Sequence, residues 1–117
     1  MQDIHDLHIY SLSMDIAERI WGLVEEWDRL ARNSIGEQLV RAADSIAANI
    51  SEGFGRYHFK ENRRFCYYAR GSLFESMTWL EKAMRRGLIA PEAHRSLDNE
   101  LTTLRKMLNR YIASLGR

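Results

Sequence analysis

Apolar residues recur along this chain at three- and four-residue intervals almost from end to end, the period of amphipathic helices and not of strands. Ile9, Leu12, Ile16, Ile20, Leu23, Trp27 and Leu30 form one stripe and predict a first helix from about Leu7 to Leu30. On the same helix Tyr10, Met14, Trp21 and Val24 form a second apolar group, about 120° round the axis. One stripe suffices for a monomer, so the second implies a partner. Asn33-Ser34 then breaks the pattern, and Ser34-Ile35-Gly36-Glu37 has the spacing of a capping box.

The second helix is predicted to run to about Phe54. Ile35, Leu39, Ala42, Ala43, Ile46, Ile50 and Phe54 share one edge; Gln38, Arg41, Ser45, Asn49 and Glu52 share another. A polar ladder beside alanines on nearly every turn fits a helix packed in the middle of an assembly, where polar groups must find partners. Gly53 and Gly55 offer a left-handed C-cap. A third helix is predicted over about Phe59 to Arg86, with Phe65, Ala69, Ser72, Ser76, Trp79 and Ala83 toward the core. Cys66, Leu73, Met77, Leu80 and Met84 widen its apolar arc beyond what one contact needs. Arg85 and Arg86 suit the negative end of its dipole, and Gly87 ends it. Ala90-Pro91-Glu92 starts a fourth helix, along which Leu97, Leu101, Leu104, Leu108, Tyr111 and Leu115 make a leucine seam. Short connections near 31–34, 55–58 and 87–90 favour an all-α, antiparallel, up-down-up-down four-helix bundle.

Composition narrows this only a little. The chain has 117 residues, enough for one core, and a single proline with seven glycines leaves little for a turn-rich β fold. Cys66 is the only cysteine, which excludes an intrachain disulfide. No apolar run reaches the roughly 20 residues of a membrane span, and the opening residues lack the order of a signal peptide, so a cytoplasmic, membrane-free protein is expected. The net charge of +1 conceals a division. Residues 1–54 carry 4 Lys+Arg against 10 Asp+Glu, whereas residues 55–117 carry 13 against 6. Such a chain can associate with itself by charge matching, or offer a basic face to a polyanion.

Four groups of residues are candidates for chemistry. Between Arg56 and Arg70, five basic residues face one acid and alternate with aromatics. Arg56, Lys60, Arg63, Arg64 and Arg70, with Tyr67 as a stacking platform, suit phosphate contacts and base stacking. A solvated face that pairs with the acidic half of a neighbouring subunit is the alternative. Arg41, Ser45, Asn49, Glu52 and Glu75 form a second group. A helix packed with alanines leaves little room for a substrate, so a structural polar network is expected, with Arg41 or Arg64 reaching Glu52 or Glu75 across helices. His5 and His8 have a spacing able to ligate a metal, but lie near a chain end without a fixed third ligand, so no metal is expected. Cys66 reads as a small buried hydrophobe. No cofactor motif is present.

The second-helix pattern Gln38-x-x-Arg41-Ala42-Ala43-x-Ser45-Ile46-x-x-Asn49-Ile50-x-Glu52-Gly53 resembles the bacterial 23S ribosomal RNA intervening-sequence four-helix bundle proteins. Lys60-Glu61, Phe65, Ala69, Gly71-Ser72-Leu73 and Glu75 are similar to that family's second block. The resemblance spans about Leu7 to Leu115. It implies a homopentamer around a central channel. A related branch, the accessory variability determinant of diversity-generating retroelements, implies binding to nucleic acid and to a reverse transcriptase. Those relatives are strongly basic, and this chain is almost neutral.

The expectation is therefore a non-enzymatic homo-oligomer acting as scaffold or adaptor, with RNA, DNA or another protein as partner. Tyr10, Met14 and Trp21, with Met77 and Met84 opposite, are the expected contacts between subunits. A purely structural oligomer is the alternative. A compact helical ribonuclease is a third reading, but its arginine and histidine within one helix are missing; the nearest pairs are Arg56 with His58 and Arg86 with His94.

Overall fold

The computed structural model describes residues 2–116, and among them there are helices and no strand. Four long helices, α1 (His8–Glu25), α2 (Glu37–Phe54), α3 (Phe59–Arg85) and α4 (Pro91–Ser114), form a bundle measuring 46 × 23 × 20 Å. α2 packs against both α1 and α3, and α4 against α3 and α1. Side chains tie the helices together as well. Arg70 on α3 donates to Asn109 Oδ1 on α4 at 2.9 Å, Asn62 donates to the Tyr111 hydroxyl at 3.2 Å, and Arg19 on α1 pairs with Glu100 on α4.

The first connection differs from the sequence expectation. α1 stops at Glu25, not near Leu30, because Trp27 turns inward and is buried while its N–H closes onto the Val24 carbonyl at 3.0 Å. Asp28 then caps a new start, accepting from the Ala31 N–H at 3.0 Å. A short helical segment, Arg29–Ala31, continues through a π-helical turn, Arg32–Gly36, into α2. Ser34 therefore lies inside helical structure and forms no capping box; its hydroxyl donates to the Leu30 carbonyl at 2.6 Å. Leu30, expected in the core, is 79% exposed. Gly36 explains the closeness at this corner, since a Cβ there would come within 2.8 Å of Val24 Cγ1.

The left-handed cap expected at Gly53 and Gly55 is also absent, because Gly55 has φ −78°. Positive φ occurs at Gly87 (74°) and Gly116 (40°) among the described residues. At Gly87 the N–H groups of Gly87 and Leu88 donate to the carbonyls of Met84 and Ala83 at 3.0 and 2.9 Å, a Schellman ending for α3.

The core is centred on Ile16, Ile20, Leu39, Ile46, Ile50, Leu73, Leu80 and the α4 leucines Leu97, Leu101, Leu104 and Leu108. On α3 the buried line is Asn62, Cys66, Ala69, Leu73, Ser76, Leu80 and Ala83, so Phe65, Ser72 and Trp79 flank the core instead of forming it. Val24 belongs to the α1 core stripe, while Leu12 and Leu23 are half-buried beside it. Among the described residues no helix is long and apolar enough to cross a membrane.

Candidate functional site

The basic start of α3 is less free than its sequence suggests. Arg63 donates through Nη1 to the carbonyl oxygens of Leu115 (2.9 Å) and Gly116 (2.8 Å), where it ties down the chain beyond α4. Arg70 is held by Asn109 and lies over the Tyr67 ring at 5.0 Å. Arg56 pairs with Glu52 at 2.8 Å and lies over the Phe65 ring at 4.8 Å. Lys60 and Arg64 are exposed. The six residues expected to meet a phosphate chain thus divide into three arginines with intrachain partners, two exposed cations, and an exposed Tyr67.

The polar ladder of α2 is met by near neighbours in the chain. Arg41 lies 3.6 Å from Glu37, Ser45 Oγ donates to the Arg41 carbonyl (2.8 Å), Asn49 Nδ2 donates to the Ser45 carbonyl (2.9 Å), and Glu52 takes Arg56. Glu75 accepts from Trp79 Nε1 at 3.1 Å. The expected pairs of Arg41 or Arg64 with Glu52 or Glu75 across helices are not formed; Arg41, Glu52 and Glu75 instead meet Glu37, Arg56 and Trp79, each four residues away in the chain.

Apolar side chains are exposed on two faces. Along α1 and α2, Met14 (41% exposed) and Trp21 (52%) stand with half-buried Tyr10 beside two open depressions that follow one another along the two helices and are taken together as a trough. One half of the trough is lined by Tyr10, Met14, Ala17, Glu18, Asp44, Ala47, Ala48 and Ser51. The other half, at the π-helical turn, is an open cavity of about 520 Å³ lined by Trp21, Val24, Val40, Gly36 and the polar groups Glu25, Arg32, Asn33, Glu37 and Arg41. On α3, Tyr67, Tyr68 and Phe74 are each about half exposed. Met77 and Met84, expected at a subunit contact, are half-buried and pack against the core of their own chain.

Partial burial in the trough, reinforced by the Glu18 charge, holds the Asp44 carboxyl above the usual range. Burial alone pushes the Cys66 thiol up to about 11, which keeps it a neutral S–H donor to Asn62 Oδ1 at 3.6 Å. At the chain start His5 Nδ1 lies 2.9 Å from Asp3, whose carboxyl is lowered mainly by that hydrogen bond. No three His, Cys, Asp or Glu side chains gather as a metal site among the described residues.

Two features escaped the sequence. Asn62 is buried and links Cys66 to Tyr111, yet it sits in a run of charged residues that reads as surface. Gly71 lies mid-helix at an open position, where a Cβ would meet nothing within 4 Å. Its position among Tyr67, Tyr68 and Phe74 at helical spacing was the available signal.

The class defined by this architecture is a bundle of four long helices with exposed aromatic faces. The chain belongs to the 23S rRNA-intervening sequence protein family, whose pattern matches residues 5–110. A solved structure from Bacteroides thetaiotaomicron VPI-5482, a protein with unknown function from the S23 ribosomal protein family, is similar to it with a TM-score of 0.81 and 25% identity. The match covers 91% of this chain and 96% of that one. No curated protein matches.

Proposed function

We propose that this protein is a non-enzymatic scaffold or adaptor: an antiparallel up-down-up-down bundle that assembles with copies of itself, as a pentamer by family resemblance. The observation that carries the reading is the pair of exposed apolar faces, Tyr10, Met14 and Trp21 on one side and Tyr67, Tyr68 and Phe74 on α3. Soluble monomers rarely leave such groups contiguous and uncovered. The antiparallel order is supported by Asn62, near the start of α3, meeting Tyr111, near the end of α4, while Arg70 further along α3 meets Asn109. Sedimentation equilibrium tests the assembly. The expected mass is a multiple of the 13.7 kDa chain, about fivefold for the pentamer. A one-chain mass at micromolar concentration rejects it.

Nucleic acid is a second reading, favoured by Lys60 and Arg64 standing exposed beside Tyr67. Its partner would be a single-stranded or structured RNA or DNA, bound through phosphates without sequence preference. A salt-dependent shift of labelled RNA supports this reading. Absence of binding at low salt leaves the protein-only scaffold.

A further inference from the structure

We infer that the exposed crest of α3 on one copy of this chain, centred on the Gly71 notch, lies in the α1–α2 trough of the next copy. The inference rests on the self-association proposed above and specifies which surfaces meet. Gly71 is the starting point. A glycine inside a helix weakens it relative to alanine, and this one has no intrachain neighbour that would exclude a Cβ. Gly22 on α1 is open in the same way, and what sets Gly71 apart is the group of half-exposed aromatics around it. Around it stand Tyr67 and Phe74, at i−4 and i+3, with Tyr68 on the other flank, so half-exposed aromatic side chains border a position without a side chain.

The trough fits such a crest in length and in charge. From Tyr10 to Trp21 it runs about 17 Å along α1, and the crest from Arg64 to Phe74 runs about 15 Å, at 1.5 Å per residue. A helix with anchors at i, i+4 and i+7 seated in an apolar groove is a common mode of recognition. Glu18 and Asp44 line the half of the trough that also holds Met14 and make it acidic, while in the other half Arg32 and Arg41 are balanced by Glu25 and Glu37. Along the crest Lys60 and Arg64 come first, so its basic start suits the acidic half. In one direction of docking the basic start of the crest meets Glu18 and Asp44, and in the other it meets a half whose charges cancel, so the pattern favours one orientation.

Because crest and trough are different surfaces, the contact is head-to-tail, and each copy offers one of each to its neighbours. That property supplies the test. Gly71→Leu fills the notch at a position with room for it in the single chain, and Trp21→Arg spoils the trough at a half-exposed position. Circular dichroism checks that both variants keep wild-type helix content. Light scattering is then recorded for each alone and for their equal mixture. Each alone is expected at the mass of one chain, with self-association weakened about 100-fold or more, the scale of losing a hot spot. The mixture is expected to form a two-chain complex, since the intact crest of one variant meets the intact trough of the other. A Gly71→Leu protein that assembles like wild type overturns the docking, as does a mixture that stays at one chain; either leaves self-association itself standing. A wild-type protein of one chain overturns both.

Discussion

Gly53 of α2 lies directly against Asn62 of α3. A Cβ at Gly53 would come within 2.7 Å of Asn62 Oδ1 and 2.9 Å of the Asn62 carbonyl oxygen, distances that real Cβ atoms do not adopt. The glycine is therefore needed for close approach of two backbones, not for a left-handed turn. Gly53→Ala is expected to destabilise the fold by about 1–3 kcal/mol, the scale of overpacking a tight contact. Gly22→Ala is the contrasting control: nothing lies within 4 Å of a Cβ there, and removing a mid-helix glycine is expected to stabilise by up to about 1 kcal/mol. Urea denaturation of both variants measures the opposite signs. Equal effects would remove the close-approach argument.

Asn62 is the hinge of the buried polar contacts. It donates to the Tyr111 hydroxyl and accepts from Cys66, so truncation leaves the buried thiol and the half-buried hydroxyl without this partner. Asn62→Ala is expected to cost about 1–3 kcal/mol. Tyr111→Phe removes one bond without opening a cavity and is expected to cost less, about 1 kcal/mol. Thermal unfolding of the two variants gives the order. A larger loss for Tyr111→Phe would show that Asn62 contributes little.

Cys66 provides a pH dependence with a defined sign. Its pKa rises from 9.0 to about 11 through burial. Between those values the unfolded chain has lost a proton that the folded chain retains, so stability falls as pH rises through this interval. Tyr111, also raised by burial, adds a fall of the same sign at higher pH. In Cys66→Ala the part belonging to the thiol is expected to vanish and the Tyr111 part to persist. A thiol reagent near neutral pH is expected to label denatured but not folded protein; rapid labelling of the folded chain would contradict the burial.

The helices, most of the leucine core and the family were legible because period and small-residue pattern act locally along the chain. The α1 boundary was not. A periodic stripe continues through Trp27 to Leu30 in sequence, and only the inward turn of Trp27 with the Asp28 cap shows that Leu30 points to solvent. Arg63 and Arg70 were read with Lys60 and Arg64 as one basic face, since helical spacing puts all four on one side. Their partners, Leu115, Gly116 and Asn109, lie about 40 to 50 residues further along the chain, beyond the reach of any local pattern. Asn62 was hidden for the same reason. What the sequence carried was which residues share a face; which of them had already found a partner required the tertiary structure.

That division among the arginines makes the final prediction. Arg63 holds two carbonyls past the end of α4, so Arg63→Ala is expected to destabilise by about 1.5–3 kcal/mol, the range for hydrogen bonds to a charged group. Arg64 is exposed, and Arg64→Ala is expected to stay within about 0.5 kcal/mol of wild type in single-chain stability. If nucleic acid binds to α3, the order of effects inverts. Lys60→Ala and Arg64→Ala are each expected to reduce the slope of log affinity against log salt by about 0.7–0.9, whereas Arg63→Ala is expected to leave it unchanged. Fluorescence anisotropy of a labelled single strand across a salt series, paired with urea denaturation of the same variants, gives both readouts. A salt slope that depends on Arg63 and not on Arg64 would mean that the guanidinium leaves its carbonyls to meet phosphate, and the structural assignment of Arg63 would fall.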